Sequence, residues 1–253
     1  MNPIALRALY GRKAATSNAW NAWIASLSPN LWLKTNETSG TTAVDSSGNG
    51  LDGTYGDNYL LGQAPLFTNL GASVKYFDVV TPIGDIQVPN NALLNITGDF
   101  TIFSPLQINN VEPTFFTKVY WKITDYANGK GNYLLIVDAA STTLRGRVNS
   151  GGNYYDAVAP FQLTIGTDYV VGLRRLATEL SLWIGAAGGS FSKAATATLP
   201  GGALLDTSAN PLNLYNVPTS LLDGFHGSGN QFVLIARGLS DGEMATSFAK
   251  ATA

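Results

Sequence analysis

Between positions 100 and 237 the apolar residues recur at every second place. In "FTIFSPLQI" (100–108), Phe100, Ile102, Leu106 and Ile108 share one face. In "DYVVGLRR" (168–175) the same face carries Tyr169, Val171 and Leu173. In "ELSLWIG" (179–185) it carries Leu180, Leu182 and Ile184, which leaves Trp183 pointing outward. A period of two is the signature of a half-buried β-strand. The stretches 133–138, 144–149, 212–215 and 231–237 read as further strands. Asn128-Gly129, Gly151-Gly152, Gly188-Gly189 and Gly201-Gly202 punctuate them as turns. Strands with one apolar face bury it by stacking sheet on sheet. The expectation is therefore an all-β, two-sheet antiparallel sandwich of jelly-roll type.

Two short helices bracket the strands. Trp20, Trp23, Ile24 and Leu27 follow helical spacing, with Ser17 or Asn18 as the cap and Ser28-Pro29 as the stop. Near the other end, Ser240 and Glu243 have the spacing of a capping box, followed by Met244 and Phe248 four apart. Both helices are expected to act as lids on the sandwich. With 253 residues and 45% hydrophobic content, a sizeable core needs no staples.

Charge is sparse and unevenly spread. Residues 1–36 hold four bases (Arg7, Arg12, Lys13 and Lys34) and no acid, whereas the remainder sets 11 bases against all 17 acids, a net of −6. This predicts a basic arm over residues 1–16 that docks on something, followed by a jelly-roll domain over 17–253. Cysteine is absent, which rules out disulfides and thiolate metal sites. No stretch approaches the ~20 apolar residues of a membrane span. The opening residues also lack the cationic front and apolar run of a secretory signal. The acidic body argues against nucleic acid as a partner.

The loop "AVDSSGNGLDGTYG" (43–56) invites a reading as a calcium site. Calcium takes six to eight oxygens, usually from several carboxylates. Asp45 and Asp52 lie in the loop, and Asp78 could join from a neighbouring strand. The competing reading is a sheet-turning rim, in which Asp45 binds backbone N–H groups and the glycines turn the chain. A retaining glucanase needs two carboxyls about 5–5.5 Å apart. None of the four glutamates (Glu37, Glu112, Glu179 and Glu243) stands two or four places from another acid on a readable strand. His226, the only histidine, lies in a Gly-rich loop, and no G-x-S-x-G elbow accompanies it. A non-enzymatic role is expected. Sugars stack on exposed aromatic faces, and Trp121, Tyr126, Tyr154, Tyr155 and Trp183 are the candidates for that contact.

"LWLKTNETSGTTAVDSSGNGLDGTYG" (31–56) and "YFDVVTPIGDIQVPNNALLNITGDFTI" (76–102) together resemble the laminin-G-like, concanavalin A-like lectin/glucanase superfamily. "LTIGTDYVVGLRRLATELSLWIG" (163–185) is similar to its central strand pair, and "ARGLSDGEMATSF" (236–248) to its closing helix. Ser104-Pro105 stands where the family usually carries Trp. The low-charge surface, rich in Gly, Asn and Thr, further resembles domains of this kind in tailed-phage virion proteins. The resemblance implies a virion structural protein, either a capsid decoration or a tail-fibre or baseplate component. It would sit on the particle as a homo-oligomer, anchored by Arg7, Arg12 and Lys13 to other virion proteins. The alternative is a carbohydrate-binding module for a host cell-surface glycan, without a cofactor or with calcium.

Overall fold

A computed structural model describes residues 19–57, 59–76, 86–110, 117–125, 130–138, 141–204, 209–215 and 225–253; residues 123–125, 130 and 131 are described at the backbone alone. Along the chain the elements begin with α1 (Ala19–Ser26), β1 (Leu31–Leu33), β2 (Thr42–Ala43), β3 (Gly53–Tyr55), β4 (Tyr59–Gln63) and β5 (Ser73–Tyr76). Next come β6 (Ile86–Val88), β7 (Phe100–Ile108), β8 (Thr117–Asp125), β9 (Lys130–Val137), β10 (Thr143–Ser150) and β11 (Asn153–Gln162). They end with β12 (Asp168–Leu176), β13 (Glu179–Ala186), β14 (Ser192–Thr198), β15 (Leu212–Leu214), β16 (Gly227–Gly229), β17 (Phe232–Ile235) and α2 (Asp241–Thr252). The arm residues Arg7, Arg12 and Lys13, and both proposed caps of the first helix, lie outside the described residues.

The strands form two antiparallel sheets, as the alternation predicts. Sheet A runs β14-β13-β12-β7-β16-β5-β4, with β17 joining β7 to β1. Sheet B runs β11-β10-β9-β8-β15-β6-β3-β2. Between them lies one apolar layer. It contains Phe100, Ile102, Leu106 and Ile108 of β7, Tyr169, Val171 and Leu173 of β12, and Leu180, Leu182 and Ile184 of β13. From sheet B it receives Tyr133, Leu135 and Val137 of β9 and Leu144 and Val148 of β10.

The outer face of sheet A carries a second core. Trp20 and Ile24 of α1, and Met244, Phe248 and Ala251 of α2, pack on Phe103, Val170, Trp183, Val233 and Ile235. Close approach of α2 needs glycine beneath it. A Cβ on Gly172 would stand 2.7 Å from the Met244 Cε, and one on Gly185 2.5 Å from a Phe248 ring carbon. The capping box forms as the sequence predicts: Ser240 Oγ accepts from the Glu243 N–H at 3.2 Å, and Glu243 accepts from the Ser240 N–H at 2.8 Å. Below it Arg174, buried in sheet A, donates to Asp241 Oδ1 (2.6 Å), Glu179 Oε1 (2.7 Å) and the Leu239 carbonyl (2.9 Å).

Pro105 occupies a central strand, where a missing N–H would normally break a ladder. Its partner strand changes at that point. Residues 106–108 pair with β16, and residues 101–103 pair with β17. Between those pairings the β16–β17 side carries one extra residue, a β-bulge at Asn230-Gln231. The Pro105 carbonyl accepts from the Asn230 N–H at 3.1 Å. The proline nitrogen points the same way, so its missing N–H faces the bulge, where the ladder is already interrupted.

Gln231 sits in that bulge with φ +63° and is fully buried. Its Oε1 accepts from the indole N–H of Trp20 (2.7 Å) and of Trp32 (2.8 Å). Its Nε2 donates to the Leu70 carbonyl at 2.8 Å, and its backbone N–H to Thr35 Oγ1 at 3.0 Å.

Two predictions follow from these contacts. Gln231→Leu strands two buried indole donors and a carbonyl, and should lower stability by about 3 kcal/mol in denaturant unfolding. Acid should loosen α2. Hydrogen bonds from Arg237 and from the Ser240 backbone hold the Glu243 carboxyl at about 2, below its usual 4.5. Asp241 is held low by Arg174. Burial raises Glu179, but Lys193 and Arg174 outweigh it and leave it low. Groups depressed on folding stabilise the fold above their unfolded pKa and lose that contribution as pH falls through the folded one. The near-UV dichroism of the packed tryptophans should therefore decay from about pH 4.5 toward about pH 2, and Glu243→Gln should flatten the decay over that window.

Candidate functional site

Register places one residue from every strand of sheet B in a single row on its outer face. The cross-strand neighbours are Thr42, Thr54, Gln87, Asn213, Trp121, Leu134, Arg147 and Asp156. At one end the row is hydroxyl and amide, with Gln87 Nε2 donating to Asn213 Oδ1 at 3.2 Å. In the middle Trp121 lies buried against Leu134 and Ile136, forming a small apolar cluster of its own. At the other end, on β9–β11, the row becomes charged and aromatic.

That charged end is a fixed lattice. Arg145 forks onto both oxygens of Asp138 at 3.0 Å each and reaches Asp156 Oδ2 at 2.7 Å. Arg147 forks onto Asp156 at 2.7 and 2.8 Å. Paired planar groups of this kind hold their orientation far better than single-point contacts. Burial pushes the Asp156 carboxyl up, but the hydrogen bonds of Arg147 and Arg145 outweigh burial and hold it below the usual carboxylate range. The Arg147 guanidinium lies 4.7 Å from the centre of the Tyr154 ring. Tyr154 is 36% exposed, so its ring borders solvent beside a positive plane.

Next to Tyr154 stand two asparagines. Asn149 of β10 is its cross-strand partner, and the pairing of Val148 with Tyr133 brings Asn132 alongside Asn149 one step further on. Asn132 is 0% exposed and Asn149 1%. None of their four amide atoms has a hydrogen-bond partner. Buried side-chain amides are nearly always bonded, and an unmade bond costs about 1–3 kcal/mol. The pair holds four unbonded N–H donors and two unbonded oxygens, closed from solvent, beside an exposed aromatic and an oriented guanidinium of the kind hydroxyl-rich ligands require.

The other aromatic candidates do not join this site. Trp121 shares the face but is buried. Tyr155 points to the opposite face and packs half-buried against the inter-sheet core. Trp183 does face away from that core, as expected, yet it is buried beneath the helix layer. Its ring lies 5.5 Å from Phe191, which stacks on Phe248 at 5.1 Å. An outward position on a strand is solvent-exposed only when nothing docks there. Tyr126 lies outside the described residues, as does Asp78.

Asp45 is buried and accepts four hydrogen bonds: from the Trp32 N–H (3.1 Å), the Ser47 N–H (2.9 Å), Ser47 Oγ (2.7 Å) and the Leu51 N–H (3.0 Å). Asp52 Oδ1 accepts from the Asp45 N–H at 2.8 Å. These bonds stitch the loop to β1. They occupy the oxygens a cation would need. Among the described residues no group of three or more His, Asp or Glu side chains converges on one point.

Sequence reasoning passed over Arg145, Arg147, Asp138, Asp156, Asn132 and Asn149. The signal was present in "LRGRVN" (144–149), where Arg145, Arg147 and Asn149 occupy alternate places on a strand whose other face is apolar.

No family model matches the sequence, and no curated protein matches it either. Solved structures do match in fold. The binding domain of botulinum neurotoxin serotype D superposes with a TM-score of 0.64 at 12% identity, over 91% of this chain and 52% of that one. The binding domain of Paraclostridial mosquitocidal protein 1 superposes at 0.63 and 14% identity, over 88% and 52%. Trypanosoma rangeli sialidase, in complex with the inhibitor DANA, gives 0.58 and 14% identity, over 86% and 32%. The chain thus spans between about a third and a half of the structures it resembles. The likeness is one of fold: a two-sheet β-sandwich, shared with two toxin binding domains and a sialidase.

Proposed function

We propose that this protein is a non-enzymatic binding domain that recognises a glycan through the outer face of sheet B at β9–β11. The observation that carries this reading is the buried, unpartnered amide pair Asn132–Asn149 beside exposed Tyr154 and the Arg147 fork. An aromatic plane takes the apolar face of a sugar ring. A guanidinium in fixed orientation takes its hydroxyls, and the amides, closed from solvent in the unliganded chain, join when the surface opens on binding. Among the described side chains of this end of the face, the acids Asp138 and Asp156 are each committed to arginines, which favours a binding role over acid or nucleophile chemistry. The sandwich shared with two toxin binding domains and a sialidase is compatible with this role.

The setting we infer is a virion. A basic, acid-free first segment on an acidic body suits an anchor on other particle proteins, with the sandwich projecting outward as a decoration or tail component. The glycan-binding face would then point at the host cell.

On a glycan array the full chain should give a saccharide-dependent signal. Tyr154→Ala should weaken it about ten-fold or more with little change in melting temperature, and Arg147→Ala should weaken it comparably while also lowering the melting temperature, because Asp156 loses its fork. Chelator should leave the signal unchanged, because the oxygens of Asp45 are already taken by N–H and O–H donors. An array with no signal, or one indifferent to both variants, would sink the reading. Deleting residues 1–16 should abolish incorporation into particles while leaving glycan binding intact; unchanged occupancy would remove the anchor.

A further inference from the structure

A second cross-strand row runs over the outer face of sheet A, beside the helix layer. It comprises Lys75 of β5, Ser228 of β16, Gln107 of β7 and Asp168 of β12. With Gln63 and Pro65 as its wall, the row floors a cleft of about 390 Å³. That is near the lower end of small-ligand sites, which run from about 300 to 1,000 Å³. It suits one sugar ring better than a chain of them.

Asp168 stands out among these groups. Burial pushes its carboxyl pKa up, and the hydrogen bond that Gln107 Nε2 donates to Oδ1 at 2.7 Å offsets this only in part. No neighbouring charge contributes to the shift, in contrast to Asp156, which is flanked by two arginines. Gln107 Nε2 also donates to the Gly166 carbonyl at 3.1 Å, so its amide is held from both sides and its Oε1 remains an acceptor. Ser228 offers a hydroxyl between Gln107 and Lys75. Lys75 puts the cleft's own positive charge three strands away, roughly 14 Å of backbone from Asp168.

A half-buried carboxylate with no cation beside it among the described residues is complementary to a cation that the ligand brings with it. We propose that this cleft binds a small, hydroxyl-rich ligand carrying a primary ammonium, of amino-sugar type, with the ammonium on Asp168 and hydroxyls on Gln107 and Ser228. The site lies on the other sheet from the glycan-binding face, so the two stand or fall separately.

Ligand-observed NMR titration of the full chain with D-glucosamine, N-acetylglucosamine and glucose tests this. Glucosamine should bind about ten-fold more tightly than the two uncharged sugars, the worth of one charge-assisted hydrogen bond. Asp168→Asn should remove that preference without lowering the melting temperature, since asparagine still accepts from Gln107. Tyr154→Ala should leave the preference intact. On the unmodified chain, backbone amide shifts at Gln107 and Ser228 should move on adding glucosamine, a readout that needs no variant. Equal affinity for the three sugars, no glucosamine binding, a preference that survives Asp168→Asn, or dependence on Tyr154 instead would each overturn the proposal.

Discussion

The side-chain amide of Gln231 receives two indole N–H groups and donates to a carbonyl, in a place where the backbone has left the β region. Most of the architecture on the outer side of sheet A hangs from it. Trp20 brings α1, Trp32 brings β1, and Leu70 brings the segment that follows β4. Each of these would otherwise bury a polar group without a partner. A left-handed φ for a residue other than glycine is strained, and strain of that kind persists only where the surroundings over-determine it. Here four hydrogen bonds do so. Pro105 makes the arrangement possible from across the strand: with no N–H to offer, it leaves the bulge free to form.

Alternation in the sequence was enough to foresee the sandwich, because each strand that faces the inter-sheet core repeats the same constraint independently. Strands 133–138, 144–149, 168–175 and 179–185 all lie close to their predicted limits. The strands that escaped notice have weaker faces. In β14, "SKAATAT" presents alanine and threonine with little contrast, and β11 mixes Tyr154, Asp156 and Val158 on its outer face. The capping box of α2 was legible because it is a local contact. The burial of Trp183 was not, because it depends on a helix some sixty residues away settling on Gly172 and Gly185. The same reason hid the bulge. Gln231 read as the first residue of a strand, and only the change of partner at Pro105 gives it a different task.

The candidate site was half legible for a related reason. Period two tells which residues share a face but not which faces stay open. Of the aromatic residues chosen for sugar stacking, Tyr154 borders solvent, while Trp121, Tyr155 and Trp183 are taken up by packing. The residues that give the site its character are polar and act in pairs across strands. Arg147 with Asp156, and Asn149 beside Asn132, become neighbours only through register. The loop 43–56, by contrast, carries its own explanation. Its one buried acid binds the backbone around it and so closes the rim.

The contact between α1 and α2 has a consequence for how the molecule can be tethered. The two helices pack side by side on one flank, and Asn69 Nδ2 fastens the carbonyl of Ala253 there at 2.7 Å. The start of α1 and the end of α2 therefore both lie on that flank. Sheet B looks the opposite way, so a support gripping the α1–α2 flank would leave the Tyr154 surface facing away from it, unshadowed by the support itself.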